Sequence, residues 1–224
     1  MKHLLNESLV RFITSAILGT CFWIVFFYLP SAAFASMLFA ILCMILFFEW
    51  KNLFSLNDFW FWAIMPWYPI LPFAMMIYMT NDPSYKNLIY YLFVIVFAFD
   101  SSAYITGKLI GIRKIVPQIS PGKTIEGCIG GLIGAFITFY MAVWYQKIAV
   151  SIPVMMLINF IVCSMAFVGD IFESFLKRQA NIKDSGTILP GHGGFLDRFD
   201  AVMFAAYFFF FFRKELMHIF YLPL

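Results

Sequence analysis

The residues able to do chemistry in this 224-residue chain cluster in two short intervals and one isolated position. The first interval, ISPGKTIEG, carries Ser120, Lys123 and Thr124. The second covers 174–200, SFLKRQANIKDSGTILPGHGGFLDRFD, with Asp170 and Glu173 just upstream. It holds Lys177, Arg178, Lys183, Asp184, His192, Asp197, Arg198 and Asp200, interleaved with Gly186, Gly191, Gly193 and Gly194. The isolated position is Asp100. Carboxylates beside several cations suit a metal ion and the phosphates it bridges. No Ser-His-Asp or Cys-His arrangement offers a covalent nucleophile.

Asp170, Glu173, Ser174, Lys177 and Arg178 fall on one stripe of a helix. Mixed charge along a stripe commonly makes a solvated surface, but Asp170 sits at the mouth of an apolar helix. Asp197 and Asp200 share one face of the last helix's first turn, where acidic residues are favoured in any case. Together with Asp170 they make a candidate oxygen site for Mg²⁺, an ion that takes a few carboxylates and keeps places for water and substrate phosphates. His192 has no partner with zinc spacing, so a phosphate contact or a structural hydrogen bond is its reading. Ser120 followed by Pro121 reads as a helix N-cap and first helical residue. Lys123 and Thr124 then stand at a helix N-terminus fit for an anion; the plainer reading is a capped helix with a basic residue on the inner side. Gly122-Lys123-Thr124 is not a phosphate-binding P-loop, because the required earlier glycine falls at Pro117 and no strand is expected before it. Asp100, about two turns before Lys108 in an apolar stretch, is costly unless paired or hydrated. It lines a polar cavity or pairs with a neighbouring helix.

The elements that position these groups are membrane helices. The chain is 63% hydrophobic, 21% aromatic and 12% charged, against roughly a quarter charged in soluble proteins. The reading is an all-α, polytopic integral membrane helical bundle with about seven transmembrane helices, near 9–29, 31–49, 59–79, 87–107, 125–145, 150–170 and 200–220. It forms one membrane domain, 1–224, with N-terminal helices in 1–86 and catalytic helices and loops in 87–224. Pro30 turns the chain between the first two spans, and Pro66, Pro69 and Pro72 interrupt the third. Gly127/Gly131 and Gly130/Gly134 are GxxxG pairs for close helix packing. Lys2 and Arg11 precede an apolar run too long for a signal peptide, so a retained first helix is expected. Cys21, Cys43, Cys128 and Cys163 lie singly and read as hydrophobic fillers.

With the N-terminus inside, eleven of the fifteen basic residues are cytoplasmic; Lys86, Lys147, Arg213 and Lys214 are not. Arg213 and Lys214 dissent, and either snorkel outward or mark an early end of the last helix. Both polar loops then face the cytoplasm, where nucleotides are. The net charge of +3 is no argument for nucleic acid, and none is expected as a partner.

The 174–200 segment resembles the signature of the phosphatidate cytidylyltransferases, the CDP-diacylglycerol synthases. Ser174, Lys177-Arg178, Lys183-Asp184, Gly186, Pro190, His192-Gly193-Gly194, Asp197-Arg198 and Asp200 match in identity and spacing. The likeness continues at Gly169-Asp170, Glu173, Asp100, Ala103-Tyr104, Gly107, Ser120-Pro121, Lys123-Thr124 and Glu126-Gly127, and loosely at Glu49-Trp50. The resemblance implies that CTP and phosphatidate give CDP-diacylglycerol and pyrophosphate at a bacterial inner membrane, with the site facing the cytoplasm. It implies Mg²⁺, with a monovalent cation such as K⁺ as a second ion, held by Asp170, Asp197 and Asp200. Lys177 and Arg178 act beside these aspartates, and Ser120, Lys123, Thr124, Lys183, His192, Arg198 and Asp100 become substrate-binding candidates. Partners are then CTP, phosphatidate and the bilayer, and a homodimer is compatible. Two departures stand out: the chain is short for the family, and Ala201 follows Asp200 where many relatives have Ser. The pattern of CDP-alcohol phosphatidyltransferases is absent. A cytidylyltransferase for another lipid phosphate and a transporter of a phosphorylated substrate are the alternatives; the second does not need the dense 177–200 segment.

Overall fold

A computed structural model describes residues 2–191 and 193–221, with 2–12 and 15 as backbone only. The chain forms two compact units, each assembled from separated stretches. One comprises Met1–Pro83 with Leu176–Phe199; the other comprises Ser84–Phe175 with Asp200–Leu224. Most of the polar segment, Leu176–Phe199, falls in the first of these.

In the first unit, α1 (Lys2–Tyr28) and α2 (Ser31–Met44) form the expected hairpin about Pro30. Pro30 lacks a donor but its carbonyl accepts from Ala33 N at 2.8 Å, and Phe26 meets Phe34 edge-on at 4.9 Å. α2 runs through a π-helical turn, Ile45–Glu49, into α3 (Trp50–Leu53). A π turn inserts one residue and re-aims those after it. It leaves Ile45, Glu49 and Trp50 fully buried. Then follow α4 (Phe59–Ile64), a second π turn at Pro66–Ile70, and α5 (Leu71–Asn81). The proline-rich span is interrupted as expected: Tyr68 leaves helical geometry at φ −150°, ψ 99°.

The second unit is built on α6 (Lys86–Ile110) and α7 (Ile125–Tyr145). α7 offers its glycines to α6. A Cβ on Gly131 would stand 2.8 Å from the Phe99 ring and 2.9 Å from Ala103 Cβ; one on Gly127 would stand 2.9 Å from Ala103 O. Small residues let membrane helices approach at backbone distance, which is what dispersion-driven association needs. Most of α8 (Ile152–Gln179) and α9 (Leu196–Phe211), and all of α10 (Arg213–Tyr221), complete the unit. Phe220 of α10 stacks on Tyr91 at 4.8 Å.

Three details go beyond the expected bundle. Among the described residues five helical stretches are long and apolar enough to cross a membrane, Ser31–Leu53, Phe59–Asn81, Lys86–Ile110, Ile125–Tyr145 and Ile152–Gln179, and the expected count of seven is not confirmed. The last predicted span breaks at Phe212, so Arg213 and Lys214 begin a separate short helix. The helical bundle carries one small hairpin, in which β1 (Lys114–Val116) and β2 (Ser120–Thr124) pair antiparallel between α6 and α7 in sequence. Ser120 is therefore a strand residue and not an N-cap. Thr124 caps α7, its Oγ1 accepting from Gly127 N at 3.1 Å. Pro121 fits β2 because a two-stranded ladder has outward edges on which a missing N–H costs nothing. A strand does precede Gly122-Lys123-Thr124, but the string itself lies in a strand and not in a strand-to-helix loop.

Candidate functional site

In the second unit the site is set by how closely α8 and α9 pack. A Cβ on Gly169 would stand 2.6 Å from the backbone oxygen of Asp200, so only glycine permits this crossing. Asp170 comes one residue later. Its Oδ2 takes the Lys123 ammonium, and Ser174 Oγ donates to Oδ1 at 3.4 Å. The same ammonium lies 5.3 Å from the Phe167 ring centre. The hairpin that carries Lys123 is pinned at its base: Glu126 accepts from the backbone N–H groups of Ile112 and Arg113 at 3.0 and 3.1 Å and pairs with Arg113 Nε at 2.9 Å. Lys123 and Asp170, 47 residues apart in sequence, are thereby brought together. Asp200 is 8% exposed and accepts from Ala201 N at 2.8 Å, while Glu173 is fully buried. Ser120 and Asp100 are half-buried, on β2 and α6.

In the first unit Asp197 is the hub. Oδ1 takes Lys177 Nζ at 2.7 Å, with the two side chains 11% and 4% exposed. Oδ2 accepts from Gly194 N at 2.7 Å, Ser185 Oγ at 2.8 Å and Ser185 N at 2.9 Å. Gly193 adopts φ +80°, and a Cβ there would stand 2.6 Å from Asp197 Oδ2. Asn181 at φ 55° ends α8 in the left-handed conformation that polar asparagine tolerates, and Arg178 Nη1 donates to Ile182 O at 3.0 Å across that turn. The loop encloses a cavity of about 400 Å³ whose lining includes Lys183, Asp184, Thr187, Gly191 and Arg198. Two cations and an N–H-rich glycine turn make this cavity suited to an anion. His192 lies outside the described residues.

Sequence reasoning gave little weight to Glu49. Its Oε1 accepts from Phe195 N at 2.8 Å and its Oε2 from Leu196 N at 2.7 Å and Ser185 Oγ at 3.4 Å. It caps α9 from 147 residues away in sequence. The available signal was a carboxylate late in an apolar span, which is expensive unless satisfied.

The donor chemistry fits Mg²⁺. Asp170 and Asp200 are hard oxygen donors on α8 and α9, within one unit. Among the described residues no three His, Cys, Asp or Glu side chains gather as a ready metal cage. Mg²⁺ takes a few carboxylates and completes its shell with water and substrate phosphates. Asp197, in the other unit, already has its oxygens engaged by Lys177 and the loop.

The profile of the cytidylyltransferase family matches residues 3–216. A phosphatidate cytidylyltransferase of Staphylococcus haemolyticus (strain JCSC1435) is 42% identical over 154 residues, 69% of this chain and 58% of that protein. The Bacillus subtilis (strain 168) protein of the same name is 39% identical over 166 residues, 72% of this chain and 60% of its own. A third, from Staphylococcus aureus (strain COL), is 34% identical over 215 residues, 91% of this chain and 81% of that protein. The chain thus spans well under two thirds of the length of the first two. Matched from residue 3 to residue 216, it belongs to the cytidylyltransferase family.

Proposed function

We propose that the chain transfers CMP from CTP to phosphatidate, giving CDP-diacylglycerol and pyrophosphate in phospholipid synthesis. The observation that carries this reading is the likeness to proteins named phosphatidate cytidylyltransferase, over 91% of this chain in the S. aureus case. In the reaction a phosphate oxygen of phosphatidate attacks the α-phosphorus of CTP. The bond from that phosphorus to the oxygen bridging it to the β-phosphate breaks, and pyrophosphate leaves. A phosphate monoester is already ionised at neutral pH, so the protein need supply neither nucleophile nor base. Its task is positioning and neutralising charge.

The residues divide that task. Lys183 and Arg198, lining one cavity, hold the triphosphate, with Lys177, Arg178 and His192 as further contacts. Lys123, paired with Asp170, meets the lipid phosphate, with Ser120, Thr124 and Asp100 as further candidates. Asp170 and Asp200 are assigned to Mg²⁺, and a monovalent ion such as K⁺ is a second candidate. When bound, Mg²⁺ supplies charge neutralisation to the phosphates. The proposed setting is a bacterial inner membrane with the polar loops on the cytoplasmic side.

Radiolabelled CTP and phosphatidate, with detergent-purified protein and Mg²⁺, test the reading. Lipid-soluble label should form and vanish with EDTA. Asp170→Asn and Asp200→Asn should lower the rate at least about a hundredfold, the scale of losing a transition-state electrostatic contact. Full activity in both variants would refute the metal assignment. Label appearing only with a different lipid phosphate would redirect the substrate, and uptake of CTP by vesicles without CDP-lipid would indicate a transporter.

A further inference from the structure

We infer that Glu49 is a positioning residue for nucleotide binding: from the end of the second helix it docks Ser185 and the start of α9 so that Lys183 and Arg198 line one cavity. This rests on the reading that the cavity takes the CTP phosphates. Four observations within the first unit carry it. Glu49 is fully buried and takes two successive α9 N–H groups, of Phe195 and Leu196, one on each carboxylate oxygen. The first N–H groups of a helix have no partner within it, so the start of α9 is held from outside. Asn52, three residues on and on the same helical face, donates through Nδ2 to Ser185 O at 2.8 Å. Ser185 Oγ reaches Glu49 at 3.4 Å and Asp197 at 2.8 Å.

The loop is moulded to this carboxylate. A Cβ on Gly194 would stand 2.6 Å from the Glu49 carboxyl carbon, and one on Gly186 would stand 3.0 Å from its Cγ. Both glycines lie against Glu49, and Gly186 also lines the cavity. A displacement of Glu49 therefore moves the cavity wall directly. The π turn ending at Glu49 explains how an otherwise apolar helix presents a carboxylate here.

Glu49→Gln keeps the shape but sets an amide NH₂ against one of the two N–H donors. Glu49→Asp keeps the charge with a shorter reach. In the purified protein Glu49→Gln should raise the KM for CTP about tenfold or more while the KM for phosphatidate stays within about twofold, a split between substrates that general unfolding does not produce. Glu49→Asp should fall between Glu49→Gln and wild type. Limited proteolysis between 183 and 194 should be faster in Glu49→Gln, with the melting temperature in detergent close to wild type. Wild-type KM values in Glu49→Gln would overturn the inference. So would a fall in melting temperature in both variants while the remaining folded enzyme keeps its affinity for CTP. If the wild-type protein makes no CDP-lipid, the functional reading fails instead, and the proteolysis arm alone decides whether Glu49 docks the loop.

Discussion

At the scale of single residues, the ion pairs of Lys177 and of Lys123 differ in kind. Lys177 and Asp197 are almost out of water, at 11% and 4% exposure. Removing one member of such a pair leaves an uncompensated buried charge. Lys177→Ala should therefore destabilise the protein by about 3–5 kcal/mol, read as a lower melting temperature in detergent, and should abolish CDP-lipid formation with it. A melting temperature unchanged from wild type would mean that the Asp197 bonds from Ser185 and Gly194 suffice alone. Lys123 and Asp170 are more open, at 20% and 25% exposure. The types and spacing of these residues were legible in the sequence, because the 174–200 segment is the most densely polar part of an apolar chain. Their partners were not. Nothing in local spacing tells that Lys177 meets Asp197 across a turn, or that Glu49 meets Leu196, since both depend on how helices distant in sequence come together.

Among the elements, the contact between α6 and α7 best follows from the sequence. The overlapping GxxxG pairs predicted close packing, and Phe99 and Ala103 occupy the space that side chains on α7 would fill. Gly131→Val should force this interface apart at a cost of about 1–3 kcal/mol from overpacking. The expected result is a lower melting temperature, with Gly122→Ala, where a Cβ would meet nothing within 4 Å, as the neutral control. Equal melting temperatures for the two would argue against the packing role. Helix ends were less legible. Ser120-Pro121 has the local chemistry of a helix start, yet pairing with β1 keeps it extended and passes the cap to Thr124. A two-stranded hairpin of three and five residues carries too weak a period to be distinguished from loop in a sequence. The second π turn and the break at Tyr68 did follow from the prolines, though the first π turn had no such marker.

For the molecule as a whole, composition was enough to establish a helical membrane protein but not the number of spans. Hydropathy counts apolar length without seeing where a helix breaks, so a run ending at Phe211 and resuming at Arg213 read as one element. Orientation is proposed from the basic residues. A single cysteine at Lys114, in a background without the four native ones, should react with a membrane-impermeant thiol reagent in inverted vesicles but not in right-side-out ones. A cysteine at Lys147 should do the reverse, and the opposite pattern would invert the topology. The make-up of the first unit also has a consequence for synthesis. Its helices up to Pro83 must wait for Leu176–Phe199, and Glu49 leaves the ribosome 146 residues before Phe195. Until then the carboxylate at the end of the second helix has none of the N–H groups that later surround it. The uninterrupted stretch 84–175 can meanwhile pack as it emerges. The order of assembly is thus set by translation, and the interval before residue 196 is when the nascent chain is most exposed to mis-insertion and degradation.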